Sequence, residues 1–127
     1  MTFAHILVLL PIAIADIGQS ETDTEDARPR QSLLIVVGTG GEEKYTEQFT
    51  AWADRLQAVA NENDVDCTRI GDATDASHSD LQLLQNALSS QAPEHPEPLW
   101  IIMIGHGTFD GRQAKFNLRG PDLAAKQ

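Results

Sequence analysis

The run Leu99-Trp-Ile-Ile-Met-Ile-Gly-His-Gly-Thr-Phe-Asp-Gly111 restricts this chain more than any other. Apolar residues climb from Leu99 to Ile104 into Gly105-His106-Gly107, and a polar turn follows. The apolar stretch is too short to cross a bilayer. It suits a strand buried on both faces of a parallel sheet. Such a strand delivers the residues after it to the carboxyl edge of the sheet, where open α/β folds place their chemistry. A histidine between two glycines at that edge is a candidate general base. Gly105 allows a sharp turn, and Gly107 offers a backbone N–H with no side chain in front of it.

The residues upstream supply the rest of such a sheet. Leu33-Leu-Ile-Val-Val37 is a short apolar run ending at Gly38-Thr-Gly-Gly41, and Glu42 and Glu43 favour a helix start through the macrodipole. Phe49, Trp52, Ala53, Leu56, Val59 and Ala60 recur at helical spacing, which predicts an amphipathic helix over Lys44 to Asn61. Val65 to Ile70 reads as a second strand. Leu81, Leu84, Ala87 and Leu88 mark a second helix from Ser79 to Ser90. The prolines of Ala92-Pro-Glu-His-Pro-Glu-Pro98 stop it before the third strand, Leu99 to Ile104. The expected fold is α/β, a parallel sheet of β-α-β-α-β order flanked by helices. Beyond it, Phe109-Asp-Gly111 and Ala114 to Leu118 read as a short hairpin, and Arg119-Gly-Pro-Asp122 as a turn leading into a helix. Three parallel strands leave apolar surface at one edge, so the domain is expected to be incomplete at its C-terminal end.

The chain has 127 residues, enough for one domain at most. Phe3 to Ala15 is apolar and ends in Ala13-Ile14-Ala15, the small-residue pattern of a signal-peptide cleavage site. Residues 1–15 therefore read as a leader, with an uncleaved anchor or a buried strand or helix as the alternatives, and a secreted or periplasmic location is the favoured one. Residues 16–31 carry acidic and small polar side chains and almost nothing apolar, so they read as a disordered acidic linker. The partial α/β domain occupies 32–127. A formal charge of −10 argues against nucleic acid and anionic lipid as partners. Cys67 is the single cysteine, which excludes an intramolecular disulfide framework and fits a core thiol. Among the histidines, His5 belongs to the leader, His78 precedes the second helix and His95 sits among prolines. None pairs with another at metal-ligand spacing, so no metal is expected. Gly38-Thr-Gly-Gly41 lacks the third glycine of a dinucleotide turn, having Glu43 there instead, and no cofactor is expected.

The element order, with Gly-His-Gly after the third strand, resembles the clan of cysteine peptidases that includes caspases, legumains and gingipains. Leu34-Ile-Val-Val-Gly-Thr-Gly-Gly41 is similar to the first strand and turn of legumain-like enzymes, and Trp100-Ile-Ile-Met-Ile-Gly-His-Gly107 to their histidine strand. The resemblance spans Ser32 to Leu118, the N-terminal part of such a catalytic domain. It implies a caspase-hemoglobinase-like fold and a peptide or protein substrate. It implies His106 as the base that draws a proton from a cysteine thiol, and Gly107 as an oxyanion donor. The family nucleophile follows another strand downstream, whereas no cysteine follows His106. Where legumain-like enzymes carry asparagine and Arg-His near the first turn, this chain has Gly40, Thr46 and Glu47, so a preference for asparagine does not carry over.

Two other readings remain open. In α/β-hydrolases an apolar strand also ends in His-Gly, with that loop holding the oxyanion; the later G-x-S-x-G elbow of those enzymes is missing from this sequence. The third reading is a non-catalytic remnant or binding module that uses the edge beyond Ile104.

Overall fold

The computed structural model describes residues 30–71, 77–91 and 97–125. The leader at 1–15 and all but the last two residues of the linker lie outside them. Strand β1 (Ser32–Val37) is central, with β2 (Asp66–Ile70) and β3 (Leu99–Ile104) parallel on either side. In register, Ser32 stands opposite Asp66 and Leu99, and Val37 opposite Ile104. The alternation of β1 divides its side chains between two cores. Leu34 and Val36 pack with Ile70, Leu84 and Leu118, while Ile35 and Val37 pack with Phe49, Ala53 and Ile104.

Helix α1 (Glu43–Glu62) closes the second core by burying Phe49, Ala53 and Ala60, which lie on one stripe at helical spacing. Helix α2 (Asp80–Ser89) closes the first core through Leu84. Its start is fixed by a reciprocal cap. The Gln82 N–H donates to Ser79 Oγ at 3.3 Å and the Ser79 N–H donates to Gln82 Oε1 at 3.1 Å. The parallel sheet with helices on both faces is the α/β arrangement the apolar pattern predicts.

After β3 the chain makes a second sheet. Strand β4 (Gly107–Phe109) pairs antiparallel with β5 (Ala114–Phe116), and β5 with β6 (Leu123–Ala124). The Asp110 carboxylate accepts from the N–H groups of Gln113 and Arg112 at 2.8 and 2.9 Å, which closes the hairpin and holds its pKa below the ordinary carboxylate value.

Two expectations need correction. Strand β3 is not buried on both faces. It lies at the sheet edge, with Trp100 61 %, Ile101 45 % and Met103 41 % exposed. An apolar run measures how much apolar surface a strand offers, not how many neighbours it finds; here the doubly covered strand is β1. The second correction concerns Arg119 to Asp122, which lead into β6 rather than a helix. Asp122 turns its carboxylate back to accept from the Leu118 N–H at 3.2 Å, and the Arg119 side chain is drawn to Asp80.

At the carboxyl end of β2, Gly71 has φ +115°, and a Cβ there would lie 1.8 Å from the Val37 carbonyl oxygen. Both the backbone angle and the close approach demand glycine. Gly71→Ala is expected to destabilise the fold by about 2–3 kcal/mol. An unchanged urea midpoint would refute that account.

Candidate active site

His106 stands two residues past the end of β3, at the carboxyl edge of the parallel sheet. Its backbone is tied down first. The Gly38 N–H donates to the Ile104 carbonyl at 2.8 Å, the Thr39 N–H to Asn117 at 3.0 Å, and the Asn117 N–H to the His106 carbonyl at 3.0 Å. Asn117 thus joins the first turn of the sheet to the histidine. The Phe116 ring is packed so close above that a Cβ on Gly105 would meet its Cζ at 2.7 Å. Gly105 is needed for this close approach; its φ is not positive, so a sharp turn is not what it supplies.

The imidazole is held by α1. Tyr45 and Phe49, one turn apart, meet it edge to face, with centroids 4.9 and 5.0 Å away and ring planes at 89° and 65°. Such pairings favour one ring orientation over free rotation. Lys44 lies 4.6 Å over the Tyr45 ring and 2.8 Å from Glu42, so its charge is partly neutralised locally. His106 itself is half-buried, leaving part of the ring open to a reactant.

Gly107 carries the other useful group. Gly107 stands opposite Phe116, and the Asn117 to His106 bond flanks that pair. In an antiparallel ladder this makes Gly107 and Phe116 a pair that exchanges no hydrogen bond with each other, so the Gly107 N–H points away from β5. An exposed donor therefore adjoins a partly open imidazole.

Cys67 is not brought to this site. It pairs with Leu33 near the start of the sheet, whereas Ile104 pairs with Val37 at the end. At about 3.3 Å per residue the thiol and His106 are roughly 20 Å apart. Cys67 is half-buried against the α1-side core, and burial pushes its pKa up, with Arg69 offsetting part of the effect. Alkylation of native Cys67 at neutral pH is expected to run roughly tenfold slower than in denaturant. Equal rates in the two states would show an accessible, activated thiol instead.

Of the other histidines, His78 lies before α2 with Nδ1 3.1 Å from Ser77 Oγ, and His5 and His95 are outside the described residues. Among the described residues no group of three or more His, Cys, Asp or Glu is gathered as metal ligands. No described helix is long and apolar enough to cross a membrane. A surface depression lies at the opposite end of the sheet, lined by Arg30, Asn61, Asn63 and Asp66 among others, away from His106.

Tyr45, Phe49 and Asn117 are the site residues that the sequence reading missed. The i, i+4 spacing of the two aromatics on the predicted helix was a usable signal. Asn117 had none, because its partners lie far away in the chain. Comparisons with protein-family models, with curated proteins and with solved structures return no match.

Proposed function

We propose that this chain carries the general-base part of a thiol-dependent peptide hydrolase, with His106 as base and Gly107 as oxyanion donor. The observation that carries the reading is the oriented, partly open imidazole beside an outward-pointing N–H at the carboxyl edge of a parallel sheet. In the first step His106 takes the proton of a thiol as its sulfur attacks the peptide carbonyl carbon. The carbonyl oxygen gains negative charge and accepts from the Gly107 N–H, an interaction worth roughly 3 kcal/mol in the transition state. The imidazolium then protonates the leaving amine as the C–N bond breaks and the acyl group stays on sulfur as a thioester. Water, deprotonated by His106, attacks that thioester carbonyl, and the C–S bond breaks with the sulfur regaining the proton.

Cys67 lies too far from His106 to be the attacking thiol, so the proposed reaction takes its nucleophile from a thiol other than Cys67. The intact parent is proposed to be secreted or periplasmic, with residues 1–15 as its leader. The parallel pairing of the histidine strand with β1, and of β1 with β2, favours this reading over an α/β-hydrolase oxyanion loop, whose strand usually follows antiparallel ones. The reading falls if His106→Ala leaves thiol-dependent peptide cleavage by the intact parent unchanged.

A further inference from the structure

The outer edge of β4 has a backbone pattern that specifies its ligand. Gly107 pairs with Phe116, Thr108 with Lys115 and Phe109 with Ala114. The flanking bonds, Asn117 N–H to His106 and Asp110 N–H to Gln113, fix which of these pairs face inward. Thr108 turns its N–H and C=O toward β5, while Gly107 and Phe109 turn theirs away from it. All three residues are exposed, Phe109 at 70 %, and the strand carries no lysine, proline or bulge that would blunt an open edge.

We propose that Gly107–Phe109 is a docking edge for an extended peptide, which adds antiparallel to β4 as an outer strand. The peptide residue opposite Phe109 and the one opposite Gly107 each donate an N–H to, and accept an N–H from, those residues. The middle residue, opposite Thr108, has its N–H directed outward. The carbonyl that accepts from Gly107 is then the carbonyl beside His106. This deepens the peptide-hydrolysis reading and rests on it only in calling the added strand a substrate.

Side-chain placement sets the preference. Thr108 and Lys115 are cross-strand partners on one face, so the middle peptide residue falls in line with them. Although the whole chain is acidic, the β4–β5 hairpin sets Arg112 and Lys115 against the single acid Asp110. An acidic middle residue therefore complements Lys115. The two outer residues lie on the face of Phe109 and Phe116 and should be apolar.

The test uses the full ¹⁵N-labelled chain and the peptide acetyl-Val-Glu-Val-amide. Saturable amide shifts are expected at Gly107 and Phe109. N-methylation of the C-terminal Val is expected to weaken binding about tenfold, since it removes one bond and crowds the edge, while N-methylation of the Glu leaves it nearly unchanged. Exchanging the Glu for Lys weakens it as well. Phe109→Pro is expected to abolish docking while keeping the β4–β5 ladder, because the lost N–H points outward. No shifts at millimolar peptide, or equal weakening by both N-methylations, would overturn the proposal. So would shifts at Gly107 and Phe109 that depend on protein concentration without peptide, which would mean self-pairing. His106→Ala should bind the peptide as the native chain does. If the peptide docks yet cleavage by the parent ignores His106, the hydrolysis reading fails and the docking edge stands.

Discussion

His106→Ala is expected to lower kcat for thiol-dependent cleavage by the intact parent by about 10²–10⁴-fold, with little change in KM. In the proposed reaction the imidazole moves protons, whereas an extended peptide would be held by backbone groups that the substitution leaves in place. Gly107 keeps its outward N–H, so a residual rate above the uncatalysed one should survive. The fold should tolerate the change. His106 is half-buried, its backbone is secured through Asn117, and the loss is confined to two edge-to-face contacts with Tyr45 and Phe49. Steady-state kinetics with a circular-dichroism control separates the two effects. A raised KM at constant kcat would mean that His106 binds substrate rather than moving protons. Cys67→Ser is the companion variant and should leave the rate unchanged, since that thiol lies near the other end of the sheet.

Much of the parallel sheet was legible in the sequence because period and punctuation agree there. Leu33 to Val37, bounded by Gly38, could be nothing but a short buried strand, and the Phe49 and Ala53 stripe marks the helix beside it. His106 was legible because glycines isolate it at a strand end. The edge status of β3 was not, because neighbour number is a tertiary property that Leu99 to Ile104 do not encode locally. Nor was β6, since the two-residue pairing of Leu123 and Ala124 with β5 has no periodicity to read. The outward direction of the Gly107 N–H depends on ladder register, and Asn117 sets that register from eleven residues past His106 (106 to 117). A glycine alone could suggest the proposed oxyanion role, but the direction of its N–H could not be read from it.

Asp80→Ala is expected to cost about 2–4 kcal/mol of folding stability, because it takes a buried carboxylate away from a backbone donor and from a partly exposed guanidinium. Asp80 is completely buried at the first position of α2. Its carboxylate accepts from the Arg119 N–H at 3.0 Å and from the Arg119 guanidinium at 2.8 Å, while the Asp80 N–H donates to the Arg119 carbonyl at 3.4 Å. One side chain therefore satisfies a backbone donor and a cation in the loop between β5 and β6, and the α2 N-terminus favours its negative charge. Alanine would leave that donor and that cation without the carboxylate. Asparagine keeps the volume and an acceptor, so Asp80→Asn should cost less, about 1–3 kcal/mol. The exposed Lys44–Glu42 pair is the contrast, since its removal should change stability by less than about 1 kcal/mol. Against the 5–15 kcal/mol typical of a domain, the Asp80 loss is large enough to move a urea midpoint well outside error. A shift equal to that of Lys44→Ala would show that the pair is solvated and structurally idle. The effect should also reach the site. Arg119 lies two residues after Asn117, so releasing the loop from α2 loosens the residue that bonds the His106 carbonyl and the Thr39 N–H. In mild urea the Asp80→Ala protein should therefore lose protection at the Asn117 amide before that of β1, because β1 is held on both sides by strands that do not depend on the loop.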